Sequence, residues 1–190
     1  MERRRNLLIG TVVGIVIVAA SVYATGLSRW LNPFGSSTEF ETSKSTTAPE
    51  LAAGDWINSK PLKLGELRGR VVLIEFWTFG CINCRNTLPF IKDWHNRYRE
   101  KGLTVIGVHS PEFAEERNVE TLRGQIASLG ISYPVVTDNE YQTWHAYDVA
   151  AWPTTFLVDK QGRIRWKHVG EGAYDKAEQL IQKLLAEKEK

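Results

Sequence analysis

The chain has 190 residues, 43% hydrophobic and 24% charged, an ordinary globular composition that accommodates one domain with appendages. Its formal net charge of +2 is too small, and its basic residues too interspersed with acids, to form a nucleic-acid footprint. The 2 cysteines are too few and too close together for a disulfide-stapled secreted scaffold, so Cys81 and Cys84 point to chemistry.

Met1–Asn6 carries Arg3, Arg4 and Arg5, and Leu7–Leu27 has no charged residue. A helix over that stretch is roughly 30 Å long and matches the hydrocarbon core of a bilayer. The expectation is a single transmembrane signal-anchor at residues 7–27. Residues 1–6 are then cytoplasmic and the rest extracytoplasmic, in a cell membrane, as the positive-inside rule requires. The alternative is a cleaved signal peptide, with small residues around Val22-Tyr23-Ala24. Residues 28–52, rich in Ser, Thr, Pro and Gly, read as a flexible linker. Residues 53–190 read as the folded domain.

Within that domain Val71–Trp77 (VVLIEFW) is a buried central strand. Leu88, Ile91, Trp94, His95 and Tyr98 recur at helical spacing up to a stop at Gly102, with Pro89 as a kink. Leu103–Val108 is a second strand and Phe113–Leu129 a helix stopped by Gly130. Tyr133–Thr137 is a third strand and Tyr141–Tyr147 a short helix. Thr155–Val158 and Ile164–Lys167 flank the turn Asp159-Lys160-Gln161-Gly162. Ala177, Leu180, Ile181, Leu184 and Leu185 form the stripe of a final helix. Strands alternating with helices imply an α/β fold with a largely parallel sheet covered on both faces, the closing hairpin adding an antiparallel edge.

Cys81-Ile82-Asn83-Cys84 follows the first central strand directly and opens a helix. A helix N-terminus offers free N–H groups and partial positive charge, both of which stabilise a thiolate. Cys81 is the expected exposed attacker, and Cys84, one turn on, the buried partner. The alternatives are an inert disulfide or half of a zinc site. The histidines, His95, His109, His145 and His168, are dispersed and make no pair at ligand spacing, so no metal is expected.

The segment Glu75-Phe76-Trp77-Thr78-Phe79-Gly80-Cys81-Ile82-Asn83-Cys84 with Leu88-Pro89 resembles the thioredoxin superfamily, and within it the extracytoplasmic thiol–disulfide reductases of the TlpA and ResA kind. Together with Val105–Phe113 and Gly130–Pro134, it is more similar still to the thioredoxin-like domain of DipZ proteins. The resemblance runs from about Ala53 to the end. DipZ proteins, however, join this domain to a multi-span region, where this chain has one candidate span. The resemblance implies a thioredoxin-like fold with a central mixed sheet. It implies that Glu75, in an otherwise apolar strand, assists proton transfer at Cys84, where a lone buried carboxylate is otherwise costly. It implies a cis bond before Pro153, with Trp152 and Pro153 facing the cysteines and exposing backbone to an extended substrate. Trp77 and Phe79 are assigned to an apolar rim around the sulfurs, a core role for Trp77 being the alternative. Asn83 reads as a solvated loop residue; His109 reads either as a residue near the site or as a packed strand-end histidine.

The expected reaction is reduction of protein disulfides by Cys81 and Cys84, in a monomer without cofactor, since no flavin or nicotinamide fingerprint is present. Electrons would come from a membrane thiol carrier of the CcdA or DsbD kind, and substrates would be disulfide-bearing extracytoplasmic proteins, apocytochrome c among them. Three rivals stand beside this: a dithiol oxidase that donates disulfides, a peroxiredoxin-like peroxidase with Thr78 three residues before Cys81, and a non-catalytic tethered binding module.

Overall fold

The computed structural model of the protein describes residues 40–52 and 54–188. Seven strands form one sheet: β1 (Phe40–Thr47), β2 (Trp56–Ile57), β3 (Val71–Trp77), β4 (Leu103–His109), β5 (Val135–Thr137), β6 (Thr154–Val158) and β7 (Arg163–Val169), in the order β1-β7-β6-β3-β4-β5-β2. The helices are α1 (Ile82–Tyr98), α2 (Val119–Ser128), α3 (Gln142–Ala146) and α4 (Tyr174–Ala186). Only β3 with β4 and β4 with β5 pair in parallel; the other pairings are antiparallel. The sheet is therefore mixed. The β6–β7 hairpin docks in its interior, against β3, and is itself covered by β1, where a largely parallel sheet with a hairpin edge was expected.

All of β3 is buried, and its two-residue alternation divides the core. Val71, Leu73 and Trp77 join α1, α2 and α4 on one face, against Cys84, Leu88, Ile91, Leu122 and Ile181. Val72, Ile74 and Phe76 join Trp144 of α3, Tyr147 and Phe156 on the other. Glu75 shares the first face by the same alternation. The hairpin closes on Asp159, whose Oδ1 accepts the N–H groups of Gln161 and Arg163 at 3.0 and 2.9 Å. Gly162 supplies the positive φ of 73° that the turn needs.

Two expectations change. The described part of the expected linker is folded: Phe40–Thr47 pairs with β7 from Phe40 opposite Lys167 to Thr47 opposite Arg163. Threonine-rich polar sequence suits a strand at the end of the described sheet. Beyond it Glu50 accepts the N–H groups of Leu64 and Gly65, both at 2.8 Å, at the 3-10 helix Leu64–Leu67. Second, the helix expected over Phe113–Leu129 is broken. A 3-10 turn at Ala114–Arg117 ends at Asn118, whose side chain accepts the Thr121 N–H at 2.8 Å and starts α2. The expected membrane span, residues 7–27, lies outside the described residues. Among those described, no helix is long and apolar enough to cross a membrane.

Candidate active site

β3 ends at Trp77, and four residues later Cys81 is the N-cap of α1, with extended backbone (φ −76°, ψ 116°). Its sulfur accepts the Cys84 N–H at 3.1 Å. The cysteines form a disulfide with their Cα atoms 5.3 Å apart. Cys81 is half-buried and Cys84 is 0% exposed, so only one sulfur faces a partner. The first turn of α1 contains no acid, which leaves the positive end of the helix to act on Cys81 unopposed from within the helix.

The loop before Cys81 is held from the end of β4. Thr78 Oγ1 lies 3.2 Å from His109 Nε2, and the Phe79 ring stacks on the His109 ring at 5.5 Å and 12°. Burial pushes the His109 pKa down to about 4, so its imidazole is neutral at physiological pH. Ser110 donates its N–H to the Trp77 carbonyl at 3.1 Å and accepts the Trp152 indole N–H on its own carbonyl at 3.0 Å. One residue thus ties the end of β3, where the cysteine loop begins, to the Trp152–Pro153 loop. The Gly80 N–H donates to Glu116 Oε1 at 3.0 Å.

The bond between Trp152 and Pro153 is cis. A cleft of about 470 Å³ runs between this loop and the cysteines, lined by Cys81, Ile82, Glu112, Ala151 and Trp152. Ile82 is 67% and Phe113 53% exposed. Trp77 does not reach this rim. It points with Leu73 into the core and is 0% exposed, edge-on to His109, because strand alternation turns it inward. Ile82 and Trp152 line the rim instead.

Glu75 is 0% exposed. Its Oε2 accepts the Tyr133 hydroxyl at 3.4 Å, and Oε1 has no partner. Burial drives its pKa from the ordinary 4.5 up to about 8, the Tyr133 bond pulling weakly the other way. It occupies the β3 face on which Cys84 packs. Gly107 sits beside it on β4. A Cβ there would lie 2.8 Å from Trp77 Nε1 and 3.2 Å from Tyr133 Cε2, so glycine makes room for the Tyr133 ring. Tyr133, Ser110, Glu116 and Gly107 carry no site role in the sequence reading. No group of three His, Cys, Asp or Glu among the described residues is placed to hold a metal ion.

A redox-capable cysteine pair at a strand-to-helix junction, facing a cis-proline loop, with a buried acid on the β3 face where Cys84 packs, defines a thioredoxin-fold redox domain. The chain belongs to the AhpC/TSA family, whose pattern spans residues 45–167. Over 143 residues, 73% of the chain, it is 44% identical to DipZ of Mycobacterium tuberculosis, of which it spans only 21%. It is 28% identical to the thiol-disulfide oxidoreductase ResA of Geobacillus thermodenitrificans, covering 87% of the chain and 88% of ResA. A thiol-disulfide isomerase from Corynebacterium glutamicum superimposes with a TM-score of 0.66 at 31% identity, covering 74% of this chain and 98% of that one. The domain is a thiol–disulfide oxidoreductase of the thioredoxin superfamily.

Proposed function

We propose that the protein reduces disulfides of extracytoplasmic proteins, anchored in the membrane by residues 7–27, with electrons drawn from a membrane dithiol carrier of the CcdA or DsbD kind. The observation that carries this reading is the asymmetry of the pair: a reachable Cys81 and a 0% exposed Cys84 over a buried acid on the same side of the sheet. In the reduced protein the Cys81 thiolate attacks a substrate disulfide, forming a mixed disulfide and releasing one substrate thiolate. Cys84 passes its proton to Glu75 and attacks the Cys81 sulfur. The Cys81–Cys84 disulfide forms and the second substrate thiolate leaves, taking up a proton. Two electrons have then moved from protein to substrate, and a second dithiol must return them.

Glu75 suits the proton step because a carboxyl raised to about 8 is matched to a thiol near neutral pH. An extended substrate segment pairing with backbone beside Pro153 would bring its disulfide to Cys81. The reductive direction is favoured over the oxidase because neither Ile82 nor Asn83 supplies a cation to stabilise the thiolate, and the buried carboxylate bonded to the loop is the acid Glu116. A peroxidase would use Thr78 beside Cys81, but its hydroxyl is buried against His109.

The test is the reduction potential of the Cys81–Cys84 couple in the purified full chain, equilibrated with glutathione or dithiothreitol. A value near that of thioredoxin, about −270 mV, supports the reductase; one near −120 mV makes the protein a disulfide donor.

A further inference from the structure

Glu116 is 2% exposed, and both of its carboxylate oxygens accept backbone N–H groups. Oε1 takes Gly80 at 3.0 Å; Oε2 takes Glu112 at 2.6 Å and Phe113 at 3.2 Å. The Phe113 bond satisfies an N–H at the start of the turn Ala114–Arg117, which explains a glutamate at this place in the turn. It does not explain the bond to Gly80, 36 residues away in sequence and immediately before Cys81. A methyl group at Gly80 would overlap Oε1, so carboxylate and loop are in closest approach there.

We infer that Glu116 is a positioning residue of the redox site, fixing the Phe79–Gly80 peptide just ahead of Cys81 and holding a negative charge beside Cys81 that favours the disulfide over the dithiol. The inference deepens the reductase reading and rests on it for its physiological sense. The physical basis is a contest at one sulfur. The N-terminus of α1 stabilises a Cys81 thiolate, and an anion one peptide away destabilises it. Because a stabilised thiolate favours the reduced form, the anion makes the couple more reducing. The other ionisable side chains on the elements that meet here do not cancel this charge. His109 is neutral, Glu75 and Glu112 are acids, and Arg85, Glu115 and Arg117 are exposed to water, where screening is strong.

The experiment compares the full chain with Glu116→Gln and with Glu115→Gln, an exposed neighbour that loses the same charge. Thiolate absorbance of the reduced protein is titrated against pH. The equilibrium of protein disulfide with two glutathione, giving protein dithiol and glutathione disulfide, is measured in parallel. Glu116→Gln is expected to lower the Cys81 titration midpoint by about one pH unit and move the equilibrium toward dithiol by about tenfold. Glu115→Gln is expected to stay within about twofold. Equal values for Glu116→Gln and the unsubstituted chain overturn the inference, as does an equal shift in Glu115→Gln. Should Glu116→Gln fail to fold, the carboxyl carbon resonance of Glu116 in the unsubstituted protein decides: it must move as Cys81 titrates, and indifference overturns the inference. An oxidising potential for the unsubstituted chain would sink the reductase reading yet leave the Glu116→Gln difference intact, so the two failures are distinguishable.

Discussion

Tyr133 on the strand-5 approach donates its hydroxyl to Oε2 of Glu75 at 3.4 Å, across 58 residues of sequence, while Oε1 of the same carboxylate is buried without a partner. The protein thus keeps a carboxyl in its core with one long hydrogen bond, at a position where leucine or valine would pack at no such cost. That arrangement carries measurable consequences.

The first concerns stability against pH. The folded-state pKa of Glu75, about 8, lies above its ordinary 4.5, so the folded protein binds more protons than the unfolded chain between those values. Stability from this group therefore falls as pH rises from about 4.5 through 8, and is lost in full above 8. Glu75→Gln is expected to gain on the unsubstituted chain over that window, by up to ~5 kcal/mol at its upper end. Urea unfolding at a series of pH values measures the gap, and a gap independent of pH would sink the assignment.

Tyr133→Phe removes the one bond that favours the ionised form of Glu75, so the carboxyl is held higher still. Closure of the Cys81–Cys84 disulfide from a preformed mixed disulfide should then shift its pH dependence upward. The accompanying loss of stability is expected at about 1 kcal/mol. An unmoved pH profile with the same loss of stability would reduce Tyr133 to packing.

The two cysteines should be sharply unequal. In Cys84→Ser, Cys81 is reachable and should alkylate readily and accumulate mixed disulfides. In Cys81→Ser, Cys84 is 0% exposed and should alkylate orders of magnitude more slowly, at the rate of local opening. Mass spectrometry after a timed iodoacetamide pulse reads both, and comparable rates would contradict the proposed order of attack.

Gly107→Ala places a methyl 2.8 Å from Trp77 Nε1 and 3.2 Å from Tyr133 Cε2. Overpacking of this kind costs about 1–3 kcal/mol, and here it also displaces the ring that bonds Glu75. A loss below about 0.5 kcal/mol in urea unfolding would mean that both rings move aside freely.

Much of this frame is legible in the residues. The VVLIEFW run could only be a strand buried on both faces, and the Asp159–Gly162 turn announced the hairpin. Cys81 and Cys84 declared themselves by standing at a strand-to-helix junction. What escaped was whatever depends on distant contact. Glu116 is one of several acids in Glu112–Arg117, and nothing local separates the buried one from its exposed neighbours. Tyr133 is an aromatic at the start of a strand, and its partner is 58 residues away. Phe40–Thr47 has a composition shared by linkers and edge strands, and only β7 decides between them. Asn118 was the one missed local signal: as an N-cap in mid-pattern it divides the expected long helix.

The burial of Cys84 also governs traffic. With a single sulfur open to the outside, a molecule that delivers electrons and one that receives them must both dock on Cys81, and neither can be present while the other is bound. Turnover is then a strict alternation between two visitors at one door, and excess of either should inhibit by occupying the form that the other needs.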